Sequence, residues 1–73
     1  MNVWVVTFEE FRNYSSLIGV FDSQEKARAA ARQYLKDLGY TDNDFDYDED
    51  GISEYWSNIR SDRTMIIERT QIV

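Results

Sequence analysis

Seven carboxylates and no base fall within thirteen residues: Asp42, Asp44, Asp46, Asp48, Glu49, Asp50 and Glu54. Carboxylates at such density can hold a hard cation, share a proton, or present negative charge to a partner. For the first, Asp46-Tyr47-Asp48-Glu49-Asp50-Gly51 matches the opening of a calcium loop, with acids at positions one, three and five and glycine at six for the sharp turn. Glu54 falls at position nine, but position twelve is Ser57, where such a loop needs a bidentate glutamate. A weak calcium-binding module is therefore an alternative only, and no metal site is assigned. For the second, carboxylate pairs are available, yet a chain of 73 residues can hardly enclose a substrate between them.

Other catalytic chemistry lacks its parts. There is no histidine and no cysteine, which removes the commonest general base, thiol nucleophiles and the usual structural zinc ligands. No Gly-x-Ser-x-Gly elbow or phosphate loop occurs, and both lysines, Lys26 and Lys36, stand in one helical segment. The chain is expected to be non-enzymatic and to use no cofactor.

The third use of the carboxylates remains. Taking the seven acids from the net charge of −6 leaves the other sixty residues at +1, so the acidity belongs to one segment. Direct nucleic-acid binding relies on Lys and Arg against phosphates and is not expected. The natural complement is a protein with a basic groove, bound through Asp42, Asp44, Asp46, Asp48, Glu49, Asp50 and Glu54, with Trp56 beside them. If the stretch is extended, its aspartates form one row spaced at about 6.6 Å, with Phe45 and Tyr47 facing the other way. Such a row would imitate, sparsely, the charge of a nucleic acid.

The elements that must position this segment are legible on either side of it. Val3 to Phe8 and Leu17 to Phe21 are rich in β-branched and aromatic residues and read as antiparallel strands joined by a hairpin. From Asp22 to Leu38 the period changes, with Ala27, Ala30, Ala31, Tyr34, Leu35 and Leu38 forming one apolar stripe. Asp22 or Ser23 can cap this helix, Glu25 stands in the capping-box position relative to Asp22, and Gly39 with Tyr40 suits a Schellman ending. Its outer face carries Arg28, Arg32 and Lys36, expected to be solvated or to pair with the acidic segment. Ile52 to Ile59 and Thr64 to Val73 are two further strands around a turn at Arg60 to Arg63.

The order predicts an α+β fold: one domain over residues 1–73, a mainly antiparallel four-stranded β-β-α-β-β sheet, and the helix packed on one face. One helix cannot cover both faces, so Trp4 and Trp56 are candidates for an aromatic second face, which would make a structural homodimer the alternative function. No segment approaches the roughly 18 apolar residues of a membrane helix, and the start of the chain has no signal-peptide pattern, so a cytoplasmic location is expected.

Trp4-Val5-Val6 followed by Ile18-Gly19-Val20-Phe21-Asp22-Ser23-Gln24-Glu25-Lys26-Ala27 resembles small uncharacterised phage and bacterial domains. Their pattern is a strand, a second strand ending in a Gly-aromatic pair, and a Ser-capped helix opening with Glu-Lys-Ala. The resemblance spans residues 3 to 38 and brings no catalytic residue. It implies a phage-encoded or accessory bacterial protein, of a kind in which short acidic chains act as inhibitors of host or defence enzymes, including those that act on nucleic acid. The acidic segment lies outside the pattern.

Overall fold

The computed structural model describes residues 1–73 except Arg12, Asn13, Ile59, Ser61 and Val73, together with the side chain of Asp42. Five strands form one sheet: β1 (Asn2–Glu10), β2 (Tyr14–Phe21), β3 (Asp46–Glu49), β4 (Ser53–Asn58) and β5 (Arg63–Gln71). Helix α1 (Gln24–Asp37) and a 3-10 turn (Asp42–Asp44) lie between β2 and β3. The spatial order is β2-β1-β5-β4-β3 with every pairing antiparallel. The class is thus α+β as expected, with five strands and not four, because part of the acidic segment pairs as an edge strand. The expected strand ends at Ile59 and Val73 fall outside the described residues.

Alternation places the core. Val6 and Phe8 from β1 and Met65 and Ile67 from β5 are fully buried on the helix side. At about 1.5 to 3 kcal/mol for each buried side chain, these four are the principal hydrophobic anchor. Ala27 and Ala31 are small enough to bring the first turns of α1 close to the sheet, while Leu35 and Phe45 fill the wider end. Tyr34 sets its ring edge-on to Phe8, with centroids 5.2 Å apart, and is half-buried. Leu38, expected inside, is 48% exposed: it is the C-cap residue, and the chain turns away there before the stripe completes another turn.

Both ends of α1 close by local hydrogen bonds. Ser23 is the N-cap, its hydroxyl accepting from the Lys26 amide, while Asp22 forms an ion pair with the Lys26 ammonium. No capping box involves Glu25, since Lys26 occupies the third helical position after Ser23. Gly39 takes the left-handed conformation (φ +91°), and the Gly39 and Tyr40 amides donate to the Lys36 and Leu35 carbonyls. That is the Schellman pattern, which satisfies two carbonyls the helix would otherwise leave open.

The helix lies over β2, β1 and β5. Trp4, opposite Phe21 on one side and Arg69 on the other, and Trp56, opposite Met65, both sit on the helix side and pack against the core. The expected placement of the two tryptophans on the second face is corrected accordingly. That face carries Val3, Val5 and Thr7 of β1, Leu17 and Val20 of β2, Tyr55 of β4 and Ile66 of β5, in register across the sheet.

Candidate functional site

The acidic segment is divided by the fold into groups with different tasks. Asp42 opens the 3-10 turn, and its side chain lies outside the described residues. The Asp44 carboxylate turns back to accept from the Thr41 amide (2.7 Å) and hydroxyl (3.2 Å), tying off that turn. Asp50 accepts from the Ile52 and Ser53 amides at 3.1 and 2.8 Å. It thereby closes the β3-β4 connection with Gly51 at φ +90°. These two backbone hydrogen bonds hold the Asp50 carboxyl below its usual range. No group of acids that could hold a metal ion is assembled among the described residues. The calcium half-motif is built instead as a strand and a capped turn.

Only Asp46 and Asp48 share a strand face. They stand opposite Ser57 and Tyr55 on the open side, while Tyr47 and Glu49 point to the helix side opposite Trp56 and Glu54. The expected single row of five aspartates is therefore reduced to two, because only Asp46 to Glu49 pair as a strand, while Asp42 and Asp44 belong to the 3-10 turn and Asp50 to the β3-β4 connection. Phe45 is buried in the core, as its place in the alternation required.

Glu54 is 5% exposed and is the central acceptor of the helix-side network. Gln24 Nε2 donates to Oε2 at 3.0 Å, and Arg28 Nε and the Tyr47 hydroxyl each donate to Oε1 at 2.8 Å. Burial pushes the Glu54 carboxyl up, but the three donors and the Arg28 charge outweigh it and leave the group below its ordinary value. The Arg28 guanidinium is raised, chiefly by its hydrogen bond to Glu54. Burial, with Glu54 and Glu49 as acceptors of its proton, pushes the Tyr47 hydroxyl up to about 12. Glu54 is thus a structural acceptor with its oxygens engaged, and Trp56 is half-buried beside Tyr47, with ring centroids 5.0 Å apart.

Since α1 stops short of β4 and β3, a groove of about 930 Å³ runs between the helix and those strands. Arg32 and Lys36 line its wall and Tyr47 and Trp56 its floor. Arg28, expected to be solvated or to pair with the acidic segment, takes the second course and crosses the groove to Glu54.

The opposite side of the sheet has a different character. From β2 to β3 one row reads Leu17, Thr7, Ile66, Tyr55, Asp48; the neighbouring rows read Val20, Val5, Glu68, Ser53 and Ser15, Glu9, Thr64, Ser57, Asp46. An apolar band at the β2 side thus passes into acids at the β3 side and rim. No Lys or Arg stands at any of these positions, since Arg63 and Arg69 alternate to the helix side. Glu9, expected with Glu10 as an addition to the acidic row, does reach this surface, whereas Glu10 alternates to the helix side and Glu68 and Tyr55 carry no such expectation. For Glu68 the signal was available only as alternation, because it lies far from the acidic segment in the chain and joins it through pairing.

Comparison with known proteins adds no identification: no family model, curated protein or solved structure matches this chain.

Proposed function

We propose that this chain is a non-enzymatic interaction protein that docks the open face of its sheet against a basic, partly apolar surface of a protein partner. One observation carries the reading: the open face combines Val5, Leu17, Val20, Tyr55 and Ile66 with Glu9, Asp46, Asp48 and Glu68 and has no cation at any strand position. An apolar patch, exposed at Leu17 and Val20 and half-buried at Val5, Tyr55 and Ile66, rimmed by one sign of charge suits a partner of the opposite sign, the charge steering encounter and the patch supplying contact area. A second copy docked face to face would oppose acid to acid, which argues against a homodimer built on this face.

Glu54 and Trp56 support this surface from behind and do not contact the partner. The resemblance to phage and bacterial domains makes inhibition of a host or defence enzyme the natural form of such docking, in the cytoplasm where those enzymes act. Imitation of a duplex is limited to charge steering, since Asp46 and Asp48 are about 6.6 Å apart whereas a duplex carries one charge per about 1.7 Å. The test is capture from a host lysate by the parent chain and by a variant carrying Glu9→Gln, Asp46→Asn, Asp48→Asn and Glu68→Gln. A partner taken up by the parent, lost by the variant and released by salt is expected, because a charged surface is screened over about 10 Å at 0.1 M. Undiminished capture by the variant, or binding indifferent to salt, would overturn the reading.

A further inference from the structure

The two edges of the sheet are protected very differently. At one edge stands β3, four residues long with three acids, Asp46, Asp48 and Glu49. Charge and shortness are the usual devices that stop a strand edge from recruiting another chain. At the other edge stands β2, eight residues reading Tyr-Ser-Ser-Leu-Ile-Gly-Val-Phe, the one strand of the five without a charged residue. It pairs only with β1, so its outer amides and carbonyls have no backbone partner among the described residues. Tyr14, Leu17 and Val20 along it are 69%, 66% and 54% exposed. Its only blunting device is the bulge at Ile18, where the register with β1 shifts between Val6 and Thr7.

We infer that the β2 edge is a homodimerisation site, at which β2 of one copy pairs antiparallel with β2 of a second. An open strand edge is satisfied by another extended backbone, which restricts the occupant to a strand. Charge then selects which strand. A chain of net charge −6 repels its own copy across most orientations, and every strand but β2 presents charged side chains. Symmetric antiparallel pairing along β2 opposes only Tyr, Ser, Leu, Ile, Gly, Val and Phe, and a two-fold axis makes the same patch serve both copies. A basic strand from another protein would be drawn to the acids around β3 and not to this uncharged edge. The bulge restricts regular pairing to part of β2, so the contact falls in the small, reversible class of interfaces, below about 1,200 Å².

The resulting ten-stranded sheet presents its acids at both outer ends and joins two apolar bands at the centre. Because each exposed end is then a β3 edge, the assembly stops at two copies.

Sedimentation of the parent from about 10 µM to about 1 mM tests this, spanning the range in which a small interface saturates. The mass should rise from that of the 8.7 kDa chain to twice that value. Over the same range, the β2 amides that do not pair with β1 should gain protection from hydrogen exchange. The exposed substitutions Ser15→Lys and Leu17→Lys, made singly so that one folded variant suffices, should keep the circular dichroism of the parent and lower self-association at least tenfold. Asp48→Asn on the opposite edge should leave it unchanged. A parent that remains monomeric at 1 mM, growth beyond dimer, or dimerisation that persists in the folded lysine variants would overturn the assignment.

Discussion

Replacing Glu54 by alanine removes the acceptor shared by three donors and examines the network that ties α1 to β4 and β3. A hydrogen bond to a charged group contributes about 1.5 to 3 kcal/mol, so three of them suggest a large loss. The partners moderate it. Arg28 is 38% exposed at its side chain, so its share is screened and belongs near the low end of that range, and Tyr47 can turn its proton wholly to Glu49. Gln24 is exposed and can be hydrated. The expected cost is about 2 to 3 kcal/mol, a large part of the roughly 4 to 11 kcal/mol that a domain of this length has in total. Urea unfolding followed by tryptophan fluorescence measures it, and a double-mutant cycle with Arg28→Ala should return about 1 kcal/mol of coupling. The pH dependence gives a second reading. Glu54 has its folded pKa below the unfolded value, so its stabilisation is complete above about 4.3 and is lost as pH falls through the folded value. The parent should therefore lose stability below about pH 4 more steeply than Glu54→Gln. A Glu54→Ala variant within about 0.5 kcal/mol of the parent would refute the view that this network holds the helix to the far strands.

Two further outcomes follow from the packing. An ultraviolet titration of the folded protein should contain one tyrosine ionising at about 12, missing in Tyr47→Phe. Since that pKa is raised by folding, the associated stabilisation is full below about pH 10 and declines above it. At Gly19 an added Cβ would stand 2.8 Å from Phe21 Cζ, on a ring packed against the core, so Gly19→Ala should lower the unfolding free energy by about 1 to 3 kcal/mol. A thermal melt matching the parent would show that the Phe21 ring moves aside freely.

Strong local periodicity was legible from the residues alone: the stripe of α1, its glycine ending and the β1-β2 hairpin. Where charge competed with alternation, the reading went astray. The stretch Asp44-Phe45-Asp46-Tyr47-Asp48 has the period of a strand, but its acids suggest a loop, and only pairing with β4 decides the matter. Trp4 and Trp56 were misplaced for a related reason. A single helix is too narrow for five strands, so large rings can remain on its own side, beyond its flank. Charge pointed to a pairing of the basic helix face with the acidic segment, but the choice of Arg28 and Glu54, 26 residues apart, required the sheet to bring them together.

The central place of β5 has a consequence for how the chain reaches its structure. β5 lies between β1 and β4, and its ladder with β1 pairs residues as far apart as Asn2 and Gln71. Until that ladder forms, the β1-β2 hairpin has neither its inner neighbour nor the Met65 and Ile67 side chains that cover Val6 and Phe8. Closing so long a loop is slow compared with the local pairing of hairpins, since the entropy of closure is lost before the contacts are gained. The meeting of the first and last strands is thus the step expected to limit folding, and a chain severed before β5 would be left with two unmatched edges instead of a domain.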